Sequence, residues 1–251
     1  IAIDWLPSGL EYLGNSAFCT SMGDIDNVMT RTTLTFNTIP NSLGYIGDYG
    51  CYRNRSLTSF NYPNVTEIGS NAFCGCTNIS QVVIGDNTTT IGEYAFHSCH
   101  QLTSVIMPDS IIEIREGAFS GCSNLASITI PEGVTTIGER AFEDCRNLTT
   151  INLSNGVVNI CNKAFNGCRN LVSIVGGSSL KSIGNSAFEE CESLSSFDIS
   201  DNVEFIGDGA FYGCYSLGVI IPKKLVSIGR NAFYKCWLES IIIPKSLTNI
   251  D

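Results

Sequence analysis

The chain has 251 residues, with 14 Lys and Arg against 24 Asp and Glu, for a net charge of −10. That acidity, with only 15% charged residues, lacks the basic footprint that phosphate neutralisation needs, so no nucleic-acid partner is expected. An apolar content of 43% excludes disorder, and no apolar run approaches the roughly 18 residues that span a bilayer, so no transmembrane segment is expected in this chain.

In chain order, Ala17-Phe18 behind Leu13-Gly14 marks a first unit. Phe18 and Cys51 are 33 residues apart, against 23 between later units, so residues 1–45 read as degenerate first units with an inserted loop near 19–32. Gly50-Cys51 behind Ile46-Gly47 stands where later units carry Ala-Phe. From there the pair recurs every 23 residues at Ala72/Phe73, Ala95/Phe96, Ala118/Phe119, Ala141/Phe142, Ala164/Phe165, Ala187/Phe188 and Ala210/Phe211, then after 22 at Ala232/Phe233. Each Phe is followed three residues on by a Cys (Cys76, Cys99, Cys122, Cys145, Cys168, Cys191, Cys214, Cys236) and preceded by five by an Ile. A Gly usually follows that Ile, as at Gly69, Gly92, Gly138, Gly184, Gly207 and Gly229, where a tight turn with positive φ would favour it; Arg115 and Cys161 break the rule.

Between one Phe-x-x-Cys and the next Ile-Gly lie segments such as Leu102 to Pro108, Leu125 to Pro131 and Leu238 to Pro244. Their alternating, β-branched character predicts a short strand with one buried face, ended by the Pro. One such strand cannot bury its apolar side alone, whereas stacked units align strands into a parallel sheet and Ile, Phe, Cys and Leu into interior columns. Residues 1–251 thus read as a single solenoid of about ten units, regular over 46–251. The last segment, Lys245 to Asp251, stops in mid-repeat without a polar cap, which reads as a piece of a longer chain.

The pattern Leu-x-x-Ile-x-Ile-Pro-x-x-Val-x-x-Ile-Gly-x-x-Ala-Phe-x-x-Cys at residues 102–122 and 125–145 resembles the BspA-like leucine-rich repeat, and the resemblance covers nearly all the chain beyond residue 45. It implies an α/β or mainly β leucine-rich-repeat solenoid, with a parallel sheet on one face and turns or short helical segments on the other. It further implies an extracellular or cell-surface location and an adhesive role towards host matrix proteins.

Twelve Cys would ordinarily suggest disulfides, but eight are phased, with parallel Cβ vectors aimed at the core, and fit a ladder of buried thiols better. Cys19, Cys51, Cys74 and Cys161 lie outside the ladder, their pairing open. Cys74 shares a column with His97, and with His100 a soft-metal site is conceivable; the reading taken is a surface thiol beside two exposed His, with no metal and no cofactor. These two His are the chain's only ones and no nucleophile motif accompanies them. Asp86, Asp109 and Glu132 share one position, and Glu93, Glu116 and Glu139 another. They could form a Ca²⁺ or paired-carboxylate site, or a solvated acidic stripe; the second reading is taken and no enzyme is expected.

The third and fifth places of each strand should line the concave face. They are Ser59/Asn61, Gln81/Val83, Ser104/Ile106, Ser127/Thr129, Thr150/Asn152, Ser173/Val175 and Ser196/Asp198, small and hydroxyl-rich, and they form the candidate ligand-binding residues. Such a surface suits an extended polypeptide or a glycan. Charge is uneven: residues 126–251 hold 10 of the 14 bases, and Lys223, Lys224, Arg230, Lys235 and Lys245 join Tyr212, Tyr215, Tyr234 and Trp237 in the last units. The expected function is a non-enzymatic recognition and adhesion module binding matrix protein or glycan through the repeat surface. The alternative is a structural spacer that presents a domain outside this chain. Oligomeric state is not legible.

Overall fold

The β-branched segments pair in parallel, unit upon unit. The computed structural model describes residues 6–17, 40–218, 221–237 and 243–250. The loop expected near 19–32, Cys19, and residues 238–242 of the last expected strand lie outside them. Strands Ser59–Tyr62, Gln81–Ile84 and Ser104–Ile106 form a three-stranded sheet, and Ser127–Thr129, Thr150–Leu153, Ser173–Gly176 and Ser196–Phe197 a four-stranded one. Their register advances by whole units, Ser59↔Gln81↔Ser104 and Ser127↔Thr150↔Ser173↔Ser196.

A second series of two-residue strands, too short to show a period of their own, runs along another side. Tyr12–Leu13, Tyr45–Ile46, Glu67–Ile68 and Thr90–Ile91 pair in one sheet. Seven more, from Glu113–Ile114 to Asn249–Ile250, pair in another. The single sheet expected from the sequence is therefore joined by a second one. Among the described residues the remaining arc contains turns and no helix, so the mainly β alternative holds.

That arc is built from left-handed residues four apart, such as Asn71 (φ 56°) with Gly75 (φ 72°) and Tyr94 (φ 55°) with Ser98 (φ 58°). This conformation turns alternate N–H groups along the solenoid axis. Asn71, Phe73 and Gly75 donate to the carbonyls of Glu93, Ala95 and His97 in the next coil, at 2.8 Å each. The bonds offset the strain of a left-handed non-glycine residue, about 1–2 kcal/mol.

Inside, Phe73, Phe96, Phe119, Phe142, Phe165, Phe188, Phe211 and Phe233 stack with centroids 5.2–5.5 Å apart and planes within 9°. Where Cys51 stands in place of a ring, Phe60 enters from the strand side and meets Phe73 edge-on at 5.0 Å. The thiol ladder is confirmed: the eleven described Cys, Cys51, Cys74 and Cys161 among them, are free. Each ladder Sγ donates to the carbonyl of an earlier coil, as Cys145 does to Phe119 and Cys168 to Phe142, at 3.3 Å.

The glycines after Ile correct the sequence expectation. Gly69, Gly92, Gly138, Gly184, Gly207 and Gly229 do not have positive φ. They are required by close approach: a Cβ on Gly92 would lie 2.4 Å from Gly69 C and Ser70 N of the preceding coil. The resulting bond from Gly to the earlier Ile carbonyl is 2.7 Å at Gly92 and Gly138, and 2.9 Å at Cys161. At Arg115 the second sheet is interrupted, between Thr90–Ile91 and Glu113–Ile114. Gly92→Ala is expected to force neighbouring coils apart and to cost about 1–3 kcal/mol. Denaturant unfolding checks it against Gly218→Ala, where a Cβ meets nothing within 4 Å and stability should hold.

Candidate functional site

The candidate site is built by strand alternation alone. In Ser127–Thr129 the middle residue Ile128 is buried and its neighbours are exposed, and the same pattern holds for Ser59–Tyr62 and Ser104–Ile106. Register then stacks equivalent residues. Asn61, Val83 and Ile106 form one outward column and Thr129, Asn152 and Val175 another, beside Ser59, Gln81 and Ser104 and beside Ser127, Thr150, Ser173 and Ser196. Asp198 is exposed beyond the last of these strands. The fourteen residues fall into two patches, because the sheet breaks between Ser104–Ile106 and Ser127–Thr129. Ile106 and Val175 are 61% and 59% exposed, so each patch offers apolar surface as well as hydroxyls.

Not every hydroxyl on these strands is open to a ligand. At the preceding place, Ser80, Thr103 and Thr149 donate to carbonyls of the coil before, at 3.0–3.1 Å. They serve the stack. The outward columns carry only loose lateral contacts, Ser173 Oγ to Thr150 Oγ1 at 3.4 Å and Asn152 Nδ2 to Thr129 Oγ1 at 3.5 Å.

The other sequence candidates behave differently. Cys74 is buried rather than at the surface, and burial pushes its thiol up to about 11. His97 Nε2 lies 3.0 Å from Ser98 Oγ, and His100 Nδ1 2.9 Å from Gly121 O. Burial holds His97 below the ordinary histidine range. Among the described residues no cluster of three His, Cys, Asp or Glu is placed to hold a metal ion. Asp109 Oδ1 accepts from the Glu132 N–H at 3.1 Å, while Glu116, Glu139 and Glu143 gather on the Arg140 guanidinium at 3.9, 3.2 and 3.6 Å. Glu116 also accepts from the Tyr94 hydroxyl. Tyr94 reaches it by lying across Gly117, where a Cβ would overlap the ring. Three Asn-x-Ser/Thr sequences begin at residues with structural roles: Asn54 is buried, Asn78 donates to Arg55 O and Asn147 to Asn124 Oδ1.

One outward surface was not foreseeable from strand patterning. The second sheet presents Tyr12 stacked on Tyr45 at 4.6 Å, followed by Glu67, Thr90, Glu113 and Thr136. Residues of this column stand one place before the phased Ile, or before Leu13 in the first unit, which is the only signal that could have grouped them. No helix among the described residues is long and apolar enough to cross a membrane.

A family model described as the BspA type leucine-rich repeat region matches residues 44–171 and 135–251, in six copies. Comparison with curated proteins yields no match. Among solved structures, the leucine-rich repeat protein of T. pallidum is 32% identical over 61% of this chain and 72% of its own, with a TM-score of 0.56. A leucine-rich cell surface protein of Faecalibacterium prausnitzii A2-165 is 26% identical over 97% of this chain and 82% of its own, with a TM-score of 0.50. A leucine-rich repeat protein of Eubacterium ventriosum ATCC 27560, 18% identical over 82% of this chain and 83% of its own, shares the fold with a TM-score of 0.56.

Proposed function

The chain belongs to the BspA-type leucine-rich repeat family, and from that premise we propose that it is a non-enzymatic recognition and adhesion module, at a cell surface or secreted, binding matrix protein or glycan through the outer face of its first-series sheets. The observation that carries this reading is the pair of registered, outward-facing columns, Ser127–Thr150–Ser173–Ser196, half-buried at its centre and carrying one hydroxyl per coil, and Thr129–Asn152–Val175, exposed throughout. A ligand with its own linear repeat meets equivalent groups at each step. Few large anchors of the kind that dominate tight interfaces stand on this face, so attachment is weak per coil and strengthened by repetition. A cell-surface location is supported by the Faecalibacterium relative, which is described as a cell surface protein. Free thiols are compatible with an oxidising exterior because the ladder is buried and protonated, hence inert. The family and fold support a role in binding rather than in catalysis.

The test is a screen of the purified chain against immobilised matrix proteins and a glycan array at two salt concentrations, with Ser127→Glu plus Thr150→Glu alongside. Both positions are outward-facing, so the variant should fold. A ligand bound at least tenfold more weakly by the variant is the expected result. Silence across both panels would point to the spacer reading instead, and a ligand bound equally by both proteins would put its site off this face.

A further inference from the structure

One coil, residues 104–122, is joined to its neighbours differently from the coils around it. Its first-series strand Ser104–Ile106 pairs with Gln81–Ile84 before it but not with Ser127–Thr129 after it. Its second-series strand Glu113–Ile114 does the reverse, pairing with Thr136–Ile137 after it but not with Thr90–Ile91 before it. Distances follow the same division. Across the first seam Ala126 N reaches Thr103 O at 3.5 Å, against 2.8–3.0 Å for the N–H groups of Thr103, Thr149, Val172 and Ser195 at the same place in other coils. Across the second seam Ile112 and Arg115 donate no backbone bond to the coil before, among the described residues, whereas Val158 and Cys161, at the same places two coils on, donate to Thr135 O and Ile137 O at 2.9 Å each. A side chain in place of the glycine does not by itself part the strands, since Cys161 carries one.

Side-chain clamps divide in the same way. In the second series Thr66 and Thr135 send a hydroxyl to the preceding coil at 3.0 and 3.4 Å, and in the first series Thr103 and Thr149 do so at 3.0 Å. Ile112 and Ala126 hold those places at the two seams and have no hydroxyl to send. Val158 and Val172 lack it too but keep their backbone bonds, at 2.9 and 2.8 Å. Each seam therefore lacks the clamp and has its backbone bond stretched or missing.

The turn arc, by contrast, is unbroken through both seams. Tyr94, Phe96 and Ser98 donate to Glu116, Ala118 and Ser120 at 2.8 Å each, and Gly117, Phe119 and Gly121 donate to Glu139, Ala141 and Glu143 at 2.7–2.9 Å. Phe119 keeps its place in the stack, 5.5 Å from Phe96 and 5.4 Å from Phe142. We propose that residues 104–122 are a hinge, at which the solenoid bends about the turn arc by parting along the two seams on its sheet sides. The arc bonds fix the length of one side, and the sheet sides lengthen where the fewest bonds must break, which is where opening costs least. The outward patch from Ser59 to Ile106 lies on one side of the first seam and the patch from Ser127 to Asp198 on the other, so bending changes the angle between them. Whatever the chain binds, the two patches meet it as separately oriented surfaces.

The experiment is measurement of N–H residual dipolar couplings on the weakly aligned whole chain, with amide exchange alongside. Expected are couplings of residues 59–99 and of residues 138–214 that fit two alignment tensors of different magnitude, whereas dividing the second body at Leu171 yields halves that share one. Ala126 should exchange about tenfold faster than Thr149, its counterpart one coil on, after correction for intrinsic rates. The variant Ile112→Thr plus Arg115→Gly restores the hydroxyl and the close approach at the second seam. It should bring the two tensors together and, because both seams open in one movement, slow exchange at Ala126 across the other seam. Ile112 and Arg115 are exposed, so the variant should fold, which unchanged circular dichroism checks; the parent chain's couplings decide the question even if it does not. A single tensor for both bodies of the parent overturns the proposal. Two tensors that the folded variant leaves unchanged, or an Ala126 that does not respond to it, also overturn it, since the seams would then be unconnected points of fraying.

Discussion

Raising the pH through 9 is expected to unfold the protein steeply. Burial raises the thiols of the ladder: Cys122 is pushed up to about 12, as is Cys51 in the substituted Phe position, and Cys76, Cys99, Cys145, Cys168, Cys191 and Cys214 rise as well. In the unfolded chain these groups ionise near their ordinary value of 9.0. Above that pH the native state therefore holds more protons than the unfolded state, and stability falls as pH rises. Stability from this source is complete below about 9 and is lost progressively towards the raised native values. Each retained proton contributes a slope of about 1.4 kcal/mol per pH unit. Several such groups acting together outweigh a typical domain stability of about 5–15 kcal/mol within one to two pH units. Denaturant unfolding at graded pH measures the slope. Cys122→Ala should make it shallower by about 1.4 kcal/mol per pH unit, and flat stability from pH 8 to 10.5 would show that the thiols are not held as described.

Phe142→Ala is expected to destabilise the chain by about 3–5 kcal/mol. The ring is fully buried between Phe119 at 5.4 Å and Phe165 at 5.2 Å, so its removal opens a cavity walled by two rings. The surrounding backbone cannot collapse into it. Phe142 N donates to Ala164 O at 2.8 Å and its carbonyl accepts the Cys168 thiol, and both bonds fix the coil spacing. Phe233 is only partly buried and has Phe211 as its one stacked partner among the described residues, so Phe233→Ala should cost less. Solenoid stability is a sum over coils and their interfaces, so amide exchange in Phe142→Ala should quicken first in the flanking units. Equal losses at both positions would mean that the stack is not the source of the cooperativity.

Much of the architecture was legible because the period repeats every physical requirement along with the residues. Phe, Ile, Leu and Cys recur where a side chain must fill the interior, and all of those columns are buried through the central coils. The outward strand places could be read from alternation, which has a fixed period of two. The outward places were legible one by one but not in their continuity, since no residue of Ser104–Ile106 or Ser127–Thr129 announces the break between them. The carboxylate stripe at Glu116 and Glu139 showed as a repeat of charge. Its organisation around Arg140, with Tyr94 crossing Gly117, depends on which coils are neighbours.

What the sequence determined by itself is the stacking: a unit too small to bury its apolar face must repeat, and the phased Ile, Ala-Phe and Cys say which atoms meet. Only the tertiary structure decided what the meeting requires. Gly92 is needed because the Gly69 backbone comes within 2.4 Å of where its Cβ would be, and not because its own φ is positive. Tyr94, Arg140 and Lys163 adopt left-handed backbone despite their side chains, because the next coil offers carbonyls for their N–H groups. The same distinction governs Phe60, which shares its inward strand place with Val82, Val105 and Ile128 but whose ring meets both Phe73 and Phe96 of the following coils. Local pattern records which residues face the core; contacts across coils are set by backbones whose separation no single unit encodes.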